Sequence, residues 1–92
     1  MILLKTKNYN KNVLSLSKKD KSLLLRQEQF LAKDVFNSKL HTKKLKGFSN
    51  DRVYSFRITR AYRGIFRLSD NGIILFAIGH RKDVYKSIQV ID

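Results

Sequence analysis

Ninety-two residues with 20 Lys and Arg against 7 Asp and Glu carry a formal charge of +13 at pH 7, and such a length suits one small domain, residues 1–92. A hydrophobic content of 42%, with six Phe and four Tyr, supplies a core, while the positive excess attracts polyanions, nucleic acid first among them. The chain has no Cys, which excludes disulfide scaffolds, thiolate zinc sites, iron–sulfur clusters and Cys nucleophiles, and with His41 and His80 as its imidazoles neither a metal nor another cofactor is expected.

Met1 to Leu4 is apolar and reads as a short first strand. Asn8 to Leu16 places Tyr9, Val13, Leu14 and Leu16 where a short helix would pack them. Ser17-Lys18-Lys19-Asp20 resembles a capping box with Asp at its end, marking the start of a second helix. Leu23, Leu24, Phe30, Leu31 and Val35 keep to one helical stripe, and that helix is predicted to end near Asn37. The two helices form an α-hairpin whose outer face carries Lys18, Lys19, Lys21 and Arg26. Residues 39–52 read as an irregular loop, with Gly47 and Asn50-Asp51 as turn residues and Leu40, Leu45 and Phe48 as anchors.

After the loop the period becomes two. Tyr54, Phe56 and Ile58 alternate with Ser55, Arg57 and Thr59, and Tyr62, Gly64, Phe66 and Leu68 alternate with Arg63, Ile65 and Arg67. Asp70-Asn71-Gly72 predicts a hairpin, since Asn-Gly suits a type I′ turn. Ile73 to Ile78 is apolar on both faces, as a central strand requires, and Arg81 to Ile91 finishes as a short helix. The longest apolar run, Ile73 to Gly79, is far short of the ~20 residues of a membrane span. The first residues lack the charged and long apolar regions of a signal peptide, so a cytoplasmic protein without a membrane partner is expected. The fold class is α+β, with an N-terminal strand, an α-hairpin, a three-stranded antiparallel meander and a short C-terminal helix.

Residues 57–66 contain the pair Tyr62-Arg63 on one predicted strand, and the next ends in Ile78-Gly79-His80-Arg81-Lys82-Asp83-Val84-Tyr85. With Leu45-Lys46-Gly47 before the strands, these segments resemble the RelE/ParE toxin superfamily of bacterial toxin–antitoxin modules. The element order fits across nearly the whole chain, and the motifs cover residues 45 to 85. The resemblance implies a toxin held by a cognate acidic antitoxin. RelE-like members enter the ribosomal A site and cut mRNA without a metal; ParE-like members inhibit DNA gyrase, and some members have lost activity, so an inactive basic nucleic-acid-binding relative is a further alternative for this chain.

Metal-free RNA cleavage needs cations around the phosphoryl oxygens, a base near the 2′-hydroxyl and an acid near the departing 5′-oxygen. Arg63 offers a bidentate guanidinium for the scissile phosphate; an exposed strand Arg paired with an acid is the alternative. His80 suits a general acid by its ordinary pKa near ~6.5, and the resemblance implies that role, against a structural His bonded to a backbone carbonyl. Arg81 is a second phosphate ligand or a solvated cation. Tyr85, four residues on, orients the 2′-hydroxyl or stacks on a base, or simply closes the core. Lys43, Lys44 and Lys46 form a basic loop that grips phosphates or is merely solvated. Arg57, Arg60 and Arg67 extend a phosphate-tracking face, with Arg57 best placed to assist Arg63. Some nuclease members use a Glu as base on the first meander strand. Residues 53–59 hold no carboxylate and Glu28 is the only Glu, so the base falls to Tyr85, a lysine of the 43–46 loop, His41 or ribosomal RNA. That gap leaves room for the gyrase-inhibiting branch.

Overall fold

The computed structural model describes residues 1–46 and 52–86. Strand β1 (Leu3–Lys5) leads into helices α1 (Lys7–Leu14) and α2 (Lys18–Lys33), then a 3-10 turn at Ser38–Leu40 and strands β2 (Lys43–Lys44), β3 (Val53–Arg57), β4 (Tyr62–Ser69) and β5 (Gly72–His80). A second 3-10 turn at Val84–Lys86 follows β5. No helix of the described residues is long and apolar enough to cross a membrane.

Caps fix both helix starts. Thr6 accepts the Tyr9 amide and Ser17 the Asp20 amide through their side chains, satisfying N–H groups that have no partner inside a helix. Helix α1 stops at Leu14 rather than Leu16. Helix α2 stops at Lys33, short of Asn37, because Asp34 turns to extended backbone and its carboxylate accepts the Phe36 amide. That turn is local side-chain chemistry that the apolar stripe through Val35 masks.

The sheet is larger than a three-stranded meander. It has five strands in the order β1-β5-β4-β3-β2, with β2 to β5 antiparallel and β1 parallel to β5. Strand β2 arises within the stretch read as irregular, where Lys43 pairs with Ser55 and Lys44 with Tyr54; a two-residue strand of lysines has no apolar period to announce it. Gly47 to Asp51, with Phe48, lie outside the described residues, as do residues 87–91 of the expected terminal helix. Its start, Arg81 to Asp83, is a turn leading into the second 3-10 turn. The hairpin at Asp70-Asn71 forms, but the positive φ of 143° belongs to Gly72 and not to Asn71, so the type I′ expectation does not hold. A Cβ at Gly72 would lie 2.5 Å from the Ile2 carbonyl oxygen, which accepts the Ile73 amide as β1 joins the sheet.

Apolar side chains cover both sheet faces. On the helix side, Tyr9, Leu24, Leu31 and Leu40 pack against Phe56, Phe66, Ile73, Leu75 and Ile78. On the other side a smaller group, Val53, Ile65, Ala77 and Val84, holds the second 3-10 turn. β5 contributes to both, as expected of a strand flanked by β1 and β4. The switch within β5 is a bulge. Ile65 pairs with Ala77 but Phe66 pairs with Leu75, so Phe76 is the extra residue. Its carbonyl accepts from the Thr6 hydroxyl and the Asn8 amide, both at 3.1 Å. Beyond it Asn12 Oδ1 accepts the Ile78 amide at 2.9 Å.

Candidate anion site on the open sheet face

Strand alternation places Val53, Ser55 and Arg57 on the same face as Arg63, Ile65 and Arg67, since Val53 and Ile65 share one apolar group. Arg57 and Arg63 are direct cross-strand partners, the arrangement in which like charges oppose each other most strongly. Among the described residues the ion pairs are Lys5–Glu28 and Arg52–Asp70; neither arginine has a carboxylate there. Arg57 Nε is buried with no hydrogen-bond partner among the described residues, a cost a folded chain rarely carries without use.

Arg63 is tied to the β3–β4 turn. Its Nη1 donates to the carbonyls of Thr59 at 2.8 Å, Tyr62 at 3.0 Å and Arg60 at 3.2 Å. Burial, then the Arg57 charge, lower the pKa of Arg63 from its ordinary value; Tyr85 opposes the shift and Arg81 adds to it. The same environment thus couples four expected site residues: Arg57, Arg63, Arg81 and Tyr85. The Arg81 amide donates to the Ala61 carbonyl at 2.7 Å, bringing the segment after β5 to the same turn. Tyr85 is exposed beside buried Val84 and, with Lys43, Lys44, Leu45 and Lys46, borders a groove of about 410 Å³. Cations on such a face concentrate a phosphate chain, and the guanidinium geometry suits its oxygens.

Arg60, Arg67 and the two imidazoles do not line that groove. Arg67 shares the face but lies over the Phe76 ring, 5.8 Å from its centroid, and Arg60 is exposed on the turn with its carbonyl engaged by Arg63. Lys44, opposite Tyr54, has its register position on the helix side, whereas Lys43, opposite Ser55, is on the anion-site face. His80 is not brought to the arginines. Its partner is Tyr62, a residue packed on the helix-side core, and the two rings meet edge-on at 6.1 Å. His80 Nδ1 accepts the Lys82 amide at 3.2 Å. The bulge at Phe76 reverses the alternation carried up from Ile73 and Leu75, turning His80 toward the helices. His41, the other imidazole, is exposed and closes the first 3-10 turn with a left-handed backbone, φ 48°.

Sequence reading passed over two residues that hold this site together. Thr59 accepts the amides of Ala61 and Tyr62 on its hydroxyl, a pattern signalled by a Thr beginning a short turn between strands. Gln27 donates from α2 to the carbonyls of Arg57 at 2.7 Å and Lys39 at 3.0 Å; a polar residue at a half-buried helix position was its signal.

The chain superposes on a chain of the RelB–RelE antitoxin–toxin complex from Methanococcus jannaschii with a TM-score of 0.69 and 27% identity, covering 91% of this chain and 96% of that one. Its fold is that of the RelE-like toxin superfamily. The archaeal RelE–RelB complex from Pyrococcus horikoshii OT3 matches at TM-score 0.71 with 23% identity, over 86% of this chain and 92% of that one. The YoeB/ParE toxin from Agrobacterium tumefaciens matches at 0.74 with 17% identity, over 88% and 99%. No protein-family model matches the chain, and no curated protein does. The RelE-like fold therefore stands on shared backbone geometry.

Proposed function

We propose that the chain is the toxin of a toxin–antitoxin pair and a ribosome-dependent mRNA endoribonuclease. The observation that carries this reading is the opposed Arg57–Arg63 pair, which among the described residues has no carboxylate and leaves a buried Arg57 Nε unbonded. An RNA phosphate would relieve the repulsion and supply the missing acceptor. In the reaction the ribose 2′-oxygen attacks the adjacent phosphorus and the bond to the 5′-oxygen breaks, giving a 2′,3′-cyclic phosphate and a 5′-hydroxyl. Arg57, Arg63 and Arg81 stabilise charge on the phosphoryl oxygens. Tyr85 positions the 2′-hydroxyl, and Lys43 and Lys46 hold the neighbouring phosphates along the groove. The scheme gives His80 no part, a choice supported by its ring lying against Tyr62. The proton-accepting role at the 2′-hydroxyl falls to Tyr85, Lys46 or a group of the ribosomal RNA, and the proton that turns the departing 5′-oxygen into a hydroxyl comes from water or from the ribosomal RNA.

The net charge of +13 supports an acidic antitoxin as partner, and the antitoxin–toxin complexes among the structural neighbours support the same pairing. The basic sheet face is the surface such a partner would cover. The reading also places the protein in the cytoplasm, where ribosomes are. One observation favours a second reading, a ParE-like gyrase inhibitor without catalysis: neither Glu28, bonded to Tyr9 and Lys5, nor His80 serves the arginine face.

Primer extension on a defined mRNA in a purified translation system, with and without ribosomes, tests both readings. Cuts at in-frame A-site positions only with ribosomes, lost in Arg63→Ala, are expected. Intact mRNA together with inhibited gyrase supercoiling would overturn the nuclease reading in favour of the second.

A further inference from the structure

We infer that Thr59 is a positioning residue for Arg63 and Arg81, acting through the turn between β3 and β4. The inference rests on the reading of the arginine face as the phosphate site. The turn is closed at both ends: the Ile58 and Thr59 amides donate to the Tyr62 carbonyl at 3.1 and 3.3 Å. Inside it, the Thr59 hydroxyl accepts from Ala61 N–H at 3.2 Å and Tyr62 N–H at 3.0 Å. With those amides satisfied by one side chain, the turn's carbonyls serve other groups. Those of Thr59, Arg60 and Tyr62 hold Arg63 Nη1, and that of Ala61 holds the Arg81 amide at 2.7 Å.

The Arg63 guanidinium and the Arg81 backbone are thus both referenced to the turn that the Thr59 hydroxyl organises. A guanidinium on a four-bond stem samples many rotamers unless several acceptors fix it. Arg63 also sits against the repelling charges of Arg57 and Arg81, which would swing it outward if its acceptors moved. Phosphate recognition by a planar fork is sensitive to such displacement. All three bonds fall on Nη1, so Nε and Nη2, the pair that forms a bidentate edge, take no part in this anchorage.

The test is a double-mutant cycle on the full chain, Thr59→Val against Arg63→Ala, with Thr59→Ser as the conservative control. Binding is read with a single-stranded RNA methylated at its 2′-oxygens, which cannot be cut, and melting temperature is measured in parallel. Thr59→Val should weaken binding about tenfold with Arg63 present and less than about twofold in the Arg63→Ala background, because coupled residues are non-additive. Thr59→Ser, which keeps the hydroxyl, should stay within about twofold of the original chain. Equal losses from Thr59→Val in both backgrounds would overturn the inference and leave Thr59 as a stability residue. Thr59→Ala serves the same cycle if the valine variant folds poorly. The two readings fail separately: RNA binding that depends on Arg63, without mRNA cleavage in the translation system, overturns the nuclease reading while the cycle still decides on Thr59. Binding indifferent to Arg63→Ala overturns the phosphate site and the role of Thr59 together.

Discussion

The Tyr9 hydroxyl donates to Glu28 Oε2 at 2.8 Å inside the core, while Lys5 Nζ donates to Oε1 of the same carboxylate at 3.2 Å. Three elements meet at this one acid: β1 through Lys5, α1 through Tyr9 and α2 through Glu28. A buried carboxylate is tolerated when its oxygens are engaged, and losing one partner is expensive. Tyr9→Phe should therefore lower the unfolding free energy by about 1.5–3 kcal/mol, the range for hydrogen bonds to charged groups, measured by urea denaturation. An unchanged midpoint would mean that the core closes without the hydroxyl.

The same residue predicts a pH dependence. Burial raises the Tyr9 pKa far above its ordinary value, and the charge and hydrogen bond of Glu28 raise it further. In the unfolded chain a tyrosine ionises near pH ~10; in the folded chain this one remains protonated there. Its contribution to stability is thus fully present below about pH 10 and lost as the pH rises beyond it. Denaturation midpoints should fall more steeply for the original chain than for Tyr9→Phe between about pH 9.5 and 11, where Tyr9 alone differs between the two.

Arg57 and Arg63 are direct cross-strand partners, so on the phosphate-site proposal their removal should separate stability from binding. Arg57→Met takes away a like charge and a buried nitrogen that has no partner among the described residues. It should raise stability by a few tenths to about 1 kcal/mol, the scale of cross-strand pairs, while weakening RNA binding. Each arginine lost should also flatten the slope of log affinity against log salt by about 0.7, as expected for one phosphate contact on a single strand. Anisotropy titrations across a salt series give both numbers. A destabilised Arg57→Met chain would show that the repulsion is already compensated in the free protein.

His80→Ala separates the sheet face from the chain segment. With its ring against Tyr62 and Nδ1 bonded to the Lys82 amide, this histidine is structural in its geometry. The alanine variant should melt a few degrees lower and keep mRNA cleavage within about threefold. A fall of a hundredfold or more would mean that the imidazole reaches the scissile bond, and would restore it as the acid.

Gly64 lies between the two arginines' strand ends and the core. A Cβ there would come 2.3 Å from Phe56 Cε1, and Phe56 is fully buried. Gly64→Ala should cost about 1–3 kcal/mol, as overpacked cores do, and calorimetry would measure it.

Much of this was readable from residue order. Alternation at Tyr62, Gly64, Phe66 and Leu68 against Arg63, Ile65 and Arg67 assigned the two faces of β4 correctly, because a strand buried on one side must keep its period. The Ser17 cap and the stripe of Leu24 and Leu31 located α2. What escaped was set by tertiary contacts. β2 exists because Lys43 and Lys44 find a partner in β3, with no pattern of their own. The bulge at Phe76 falls in an apolar run where no Gly or Asn marks it, and it is held by Thr6 and Asn8, residues 68 to 70 positions away in the chain. One unmarked residue was enough to turn His80 to the sheet face opposite Arg57 and Arg63.

The pairing of β1 with β5 ends at Lys5 and Leu75, yet β5 continues to His80. Along that remaining margin, a carbonyl and an amide that a neighbouring strand would have engaged are met by Asn8 and Asn12 side chains. Open strand margins recruit further strands and so seed aggregation. Two carboxamides on a short helix therefore act as a stopper on sheet growth. That makes the keeping quality of this chain, when produced without a partner, depend on residues remote from the arginine face.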